Sequence, residues 1–86
     1  MLLRRSRAKT MTELIKYIVE QLVEDKDAIE ITRVDEENVV KITIKVADGD
    51  IGKVIGKQGK IASAIRTLAK AVGIKEGVKY SIDILD

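Results

Sequence analysis

"DIGKVIGKQGKIASAIRTLAKA", residues 50–71, is the stretch on which the reading of this chain turns. Within it Gly56 and Gly59 enclose Lys57 and Gln58, with Val54, Ile55 and Ile61 packed on either side. Before the pair, "IGKVI" (51–55) has the length of a short helix, and Asp50 stands where an N-cap belongs. After it, Ile61, Ile65, Leu68 and Val72 recur at helical spacing, so a second helix is expected from near Lys60, with Gly73 as its C-terminal cap. Glycine tolerates positive φ and leaves no Cβ in the way, so a four-residue turn with glycine at both ends can bring its own backbone against a partner. The helix that follows adds an effective charge of about +0.5 and outward N–H groups at its start, a fitting surface for phosphate. Two glycines three apart also occur in plain helix-to-helix turns, so the surroundings have to decide.

Charge is the first of those surroundings. The net charge of +2 conceals a strong partition along the 86 residues. Residues 51–75 carry Lys53, Lys57, Lys60, Arg66, Lys70 and Lys75 and no acid, whereas residues 11–50 carry 11 acids against 5 bases. A basic block inside an otherwise acidic domain points to an anionic partner such as nucleic acid; a solvated helix face is the plainer alternative. Arg4, Arg5, Arg7 and Lys9 make a second basic stretch in residues 1–10.

Working outward, "MTELIKYIVEQLVED" (11–25) repeats apolar residues at Leu14, Ile15, Ile18, Val19, Leu22 and Val23, the stripe of an amphipathic helix. Thr10 and Glu13 form a candidate capping box, so this helix is expected to start near Thr10. That leaves residues 1–10 outside the fold, as a disordered arm or as non-native sequence, and residues 11–86 as the domain. "AIEITRV" (28–34) and "VVKITIKV" (39–46) alternate apolar and polar residues and read as half-buried strands, joined by the hairpin loop "DEEN" (35–38). In the second strand Val40, Ile42, Ile44 and Val46 share the buried face. "VKYSIDI" (78–84) reads as a third strand. The expected fold class is α+β in the order α-β-β-α-α-β, with a three-stranded sheet packed on one face by three helices.

Composition removes most other functions. A chain of 86 residues buries only about 60–65% of its unfolded surface, too little for a large enclosed active site. With no Cys and no His it lacks disulfides, thiolate metal sites, the usual zinc ligand and the usual general base. No pocket to shift a carboxylate or lysine is evident, so neither an enzyme, a metal site nor a cofactor is expected. The adjacent acids Asp35, Glu36 and Glu37 read as a solvated loop tip. No apolar run reaches the roughly 20 residues needed to cross a bilayer, and a cytoplasmic protein with no membrane partner is expected. Mononucleotide binding through a Walker loop fails on spacing, since Gly52 to Gly56 encloses three residues rather than four and Gln58 follows Lys57. The dinucleotide fingerprint G-x-G-x-x-G is absent.

"VIGKQGKIA" (54–62) resembles the V-I-G-x-x-G-x-x-I signature of KH domains, in which a G-x-x-G loop joins two helices and clamps about four nucleotides by their backbone. Ala62 takes the final Ile position, with Ile61 one residue earlier. The element order is similar to the type II arrangement, and the chain looks most like bacterial single-KH-domain RNA-binding proteins, the KhpA (YlqC) family. The resemblance implies single-stranded RNA as partner and a role as RNA chaperone or post-transcriptional regulator. Carried over, Gly56, Lys57, Gln58 and Gly59 contact the sugar-phosphate backbone, with Lys53 and Lys60 as flanking charges. Gly52, Ile55 and Ile44 line a floor for bases, and Arg66 reaches a phosphate or is solvated. It further implies a homodimer or a heterodimer with a larger KhpB-like, KH-containing protein. A dimerisation module that keeps the fold without RNA, and single-stranded DNA binding, are the rival readings. With only Tyr17 and Tyr80 as aromatics, base-stacking platforms are not available.

Overall fold

The computed structural model describes the backbone of residues 2–85 and the side chains of residues 11–85. In chain order the elements are α1 (Leu2–Leu22), β1 (Glu30–Glu36), β2 (Val39–Lys45), α2 (Ile51–Ile55), α3 (Lys60–Glu76) and β3 (Lys79–Ile84), with 3-10 turns at Lys26–Ala28, Asp48–Asp50 and Lys57–Gly59. This is the α-β-β-α-α-β order read from the periodicity. The sheet order is β1-β2-β3, with β1 and β2 antiparallel and β2 and β3 parallel. A parallel neighbour requires a crossover, and α2, the glycine loop and α3 together supply it.

Alternation in β2 sends Val40, Ile42, Ile44 and Val46 into the core and leaves Lys41 and Lys45 exposed. Met11, Ile15 and Val19 of α1, four residues apart, meet them from one side, and Val54, Ile65, Ala69 and Ile82 complete the cluster. Because all three helices contribute to this one cluster, the opposite sheet face stays open, with Thr32, Val34, Lys41 and Lys45 on it.

Several local expectations are corrected. The helix α1 does not start near Thr10 but runs back to Leu2. Residues 2–9 hold Leu, Arg, Ser, Ala and Lys with no Gly or Pro, so nothing in the backbone stops the helix there. The side chains of residues 1–10, and with them the fate of the basic arm, lie outside the described residues. Strand β1 begins two residues later than expected, and the hairpin tightens to Glu37 and Asn38, because Asp35 and Glu36 pair with Val40 and Val39. It is also far less buried than its alternation implies: only Ile31 is half-buried along its length. An edge strand with no helix over its far end keeps the period but not the cover, and Arg33 and Asp35 use the core-side positions there, joined at 2.8 Å.

Helix α3 is rotated from the expected stripe. Its buried line is Ala62, Ile65, Ala69 and Gly73, while Leu68 is 37% exposed. Three of those four are Gly or Ala, which lets the helix axis come close to the sheet and turns the larger Leu68 outward. Gly73 is no cap, since α3 continues to Glu76 and Gly77 ends it at φ 75°. Instead the missing side chain admits the next strand: a Cβ on Gly73 would stand 2.5 Å from the Val78 carbonyl oxygen and 3.2 Å from the Tyr80 ring.

Candidate nucleic-acid interface

The G-K-Q-G turn follows α2 without a linker. Gly56 N–H donates to the Gly52 carbonyl at 2.9 Å and closes α2, and Gly59 N–H donates to the Gly56 carbonyl at 3.0 Å and closes the turn. Gly56 adopts φ 80°, ψ 169°, a region essentially restricted to glycine. A Cβ there would also lie 2.6 Å from Ile61 Cγ1 and 2.9 Å from the Ile61 backbone nitrogen. Ile61 therefore packs on the first glycine, and Ala62, in the position that the family signature gives to Ile, is buried in the core. Gln58 is the one non-glycine residue with positive φ among the described residues, at φ 58°, ψ 25°. A long side chain in that conformation is uncommon and costs about 1–2 kcal/mol. The cost has a geometric return: with Gly59 also left-handed, the turn reverses sharply and leaves Lys57 and Gln58 exposed ahead of α3.

The six cations of residues 51–75 do not behave alike. Lys57, Lys60 and Lys70 are exposed, and no acid among the described residues lies within ion-pair distance of them. Lys53, expected to flank the loop as a phosphate contact, is instead engaged by Glu24 at 3.1 Å and Asp50 at 3.3 Å. Those two carboxylates, Glu24 first, hold its ammonium above the usual lysine range. Arg66 is exposed on α3, and its Nε donates to the Ile82 carbonyl oxygen at 3.2 Å.

That bond marks a feature the periodicity does not reveal. Between α3 and β3 runs a groove of about 640 Å³ lined by Arg66, Lys70, Ile74, Tyr80, Ser81 and Ile82, among others. It exists because β3 pairs on one side only, with β2, so its other edge faces the helix and open solvent. Arg66 sits six residues past Lys60, about 9 Å along the helix axis. Ile74, 73% exposed, forms an apolar rim. Of the expected floor residues, Ile44 is out of reach: it is fully buried on the central strand. The strand edge left open beside α3 is that of β3. Ile55 is half-buried beside the loop, and Gly52 is exposed on α2 with nothing within 4 Å of where a Cβ would be. A glycine in a helix with open space around it has no packing reason in the chain itself. Lys70 and Tyr80 were not singled out as site residues; strand order, which makes β3 an edge, is the missing signal. Burial and the carboxylate of Glu76, which accepts the phenol's hydrogen bond, push Tyr80 up to about 12.

No helix among the described residues is long and apolar enough to cross a membrane. The profile of the family described as "KhpA/KhpB, KH domain" matches residues 12–84. A curated relative from Caldanaerobacter subterraneus subsp. tengcongensis, "RNA-binding protein KhpA", is 47% identical over 75 residues, covering 87% of this chain and 100% of its own length. Proteins of the same name from Clostridium acetobutylicum and Aquifex aeolicus are 41% and 37% identical, covering 87% and 88% of this chain and 100% and 96% of their own lengths. No solved structure matches the chain.

Proposed function

This chain belongs to the KhpA/KhpB family of KH domains, and from that premise we propose that it binds single-stranded RNA by clamping the sugar-phosphate backbone with Gly56, Lys57, Gln58 and Gly59. The observation that carries the reading is the loop itself: a turn with three positive-φ residues that presents Lys57 and Gln58 to solvent, with no acid among the described residues within ion-pair distance of Lys57, at the start of a 17-residue helix. Lys60 adds charge beside the clamp. Bases then lie along the edge of β3 between Arg66 and Tyr80, contacting aliphatic and backbone groups in place of stacked aromatics. Binding of this kind is weak per domain and only modestly selective, which suits an RNA chaperone or post-transcriptional regulator acting in the cytoplasm. A second copy, or a larger KhpB-like protein with its own KH domain, is the protein partner this role includes.

Replacing Lys57 and Gln58 together by Asp tests the clamp, because two carboxylates would then face the phosphates from an exposed turn. We expect binding to a fluorescent single-stranded RNA to be lost in anisotropy while the circular dichroism spectrum is unchanged; unaltered affinity refutes the assignment. Neutralising two to four phosphates gives a slope of log K against log salt of about −1.4 to −2.8, whereas a flat dependence favours a protein-interaction module. Equal affinity for a DNA strand of the same sequence would show that the 2′-hydroxyl is not read.

A further inference from the structure

Asp50 is the one charged side chain buried in the core among the described residues, at 4% exposed, and the RNA clamp makes no use of it. It stands in the N-cap position of α2 but makes no hydrogen bond to the N–H groups of its own helix. Its backbone there is already helical, at φ −105°, ψ −6°, and the carboxylate is taken up instead by the segment that follows α1 and by Lys53. Oδ2 accepts the Asp25 N–H at 3.1 Å, and Oδ1 meets Lys53 Nζ at 3.3 Å. Lys53 reaches on to Glu24 Oε2 at 3.1 Å. The segment that follows α1, at Glu24 and Asp25, and the first turn of α2 are thereby closed into one clasp.

The clasp lies just upstream of the loop. Helix α2 has five residues, far below the length of about 12–15 at which an isolated helix becomes even marginally stable, so its position depends on tertiary contacts. Val54 is its one buried side chain, Ile51 is half-buried against the core beside it, and apolar contact over so short a helix forms one small anchor about which it can pivot. Asp50 supplies a second attachment one residue before α2 begins, and Gly56 opens the loop one residue after it ends. Burying a carboxylate is costly unless its hydrogen bonds are met, and an exposed cap would have served α2 more cheaply.

We propose that Asp50 is the positioning residue of the RNA clamp: by fastening α2 to the segment that follows α1 it sets where Gly56–Gly59 meets the phosphates. Lys53 is in consequence a strut of this clasp and not a phosphate contact. The proposal rests on the RNA-binding reading above. It makes a prediction whose sign is opposite to that of simple electrostatics. Removing an acid near a polyanion site raises affinity through the field alone; removing a positioning residue lowers it.

The test is anisotropy with a labelled single-stranded RNA and the full chain, well below the melting temperature, with circular dichroism reporting folding. Asp50→Ala is expected to bind about five- to tenfold more weakly, the loss of one charged hydrogen bond's worth of order. Asp50→Asn, which keeps an acceptor for the Asp25 N–H, recovers most of that loss. Glu24→Gln, which removes an exposed acid but leaves the Asp50 bond to Asp25, binds as well as the parent or better. A folded Asp50→Ala protein that binds as tightly as the parent, or more tightly, overturns the proposal. If Asp50→Ala does not fold, Lys53→Met decides by its salt dependence: a strut leaves the slope of log K against log salt unchanged, and a phosphate contact reduces it by about 0.7, which overturns the proposal. The Lys57 and Gln58 double variant separates the two ideas. If that variant still binds, the clamp itself falls; if it does not bind and Asp50→Ala does, only the positioning role falls.

Discussion

The two ends of α3 use glycine in the same proportions and for different purposes. At the N-terminal end Gly56 is packed against Ile61 and Gly59 is left-handed with open space around it. At the C-terminal end Gly73 is packed against the Val78 carbonyl and Gly77 is left-handed with open space around it. Yet the first end is open and basic, and the second is closed: Val78 N–H returns to the Gly73 carbonyl at 3.0 Å and β3 starts two residues after Gly77. The lesson is that a pair of glycines specifies only a tight turn. What the turn does follows from the helix end it adjoins and from the charges beside it. An N-terminus offers N–H groups and positive potential to phosphate, and a C-terminus offers carbonyls that the protein itself has to cover.

Gly56→Ala should have the largest effect on this contrast. It places a Cβ against both side-chain and backbone atoms of Ile61 and forces an alanine into a glycine-only region, at a combined cost of about 2–4 kcal/mol. For a domain of this size that lowers the melting temperature by roughly 10–25 °C. RNA binding should fall with it even where the protein remains folded; a variant as stable as the parent would show that Ile61 moves aside and that the first glycine is not structural. Gly73→Ala comes next, at about 1–3 kcal/mol, since its φ is ordinary and only the overlap with the Val78 carbonyl has to be relieved. Here stability should drop while the affinity of the folded fraction is largely kept. A selective loss of RNA affinity would instead couple the C-terminal end to the site through β3.

Gly52→Ala reverses the sign. The position is helical and open, so alanine should stabilise by about 0.5–1 kcal/mol, but it also puts a methyl group where RNA is expected to approach α2. A thermal melt that rises together with a few-fold weaker anisotropy isotherm is the expected pattern, and unchanged affinity would move the RNA away from this face. The smallest effect concerns Tyr80 at the closed end. Its folded value of about 12 lies above the ordinary phenol, so its contribution to stability is complete below about pH 10 and is lost as pH rises above that. Tyrosinate absorbance in an alkaline titration should contain a wave near pH 12 that Tyr80→Phe abolishes. Survival of that wave in the variant would show that the ring is not sealed between Gly73 and Glu76.

Much of this molecule was legible in the chain. Alternation in β2 and the spacing of Ile15 and Val19 depend only on local geometry, because period 2 and period 3.6 are properties of the backbone, and both were read correctly along with the order of all six elements. The loop was legible too, since glycines with basic neighbours and a helix to follow are all contiguous. The start of α1 was misjudged locally, but the misreadings at Ile44, Gly73 and Leu68 share one cause: each needed a partner distant in sequence. Ile44 looked like any other strand residue until its strand proved to be the central one. Gly73 looked like a cap because nothing local says that β3 will press a carbonyl against it. Leu68 and Ala69 are adjacent, and which of them faces inward depends on how closely α3 approaches the sheet. Lys53 is one of six cations in its segment, and only the fold brings Glu24, 29 residues earlier, to it.

By itself, then, the sequence determined the element order, the buried face of the central strand and the G-K-Q-G turn, because these follow from side-chain periodicity and from where only glycine tolerates the backbone. Tertiary structure alone decided which strands are edges, which cations are paired with acids and which partners meet Asp50, because those depend on distances between residues that only folding brings together.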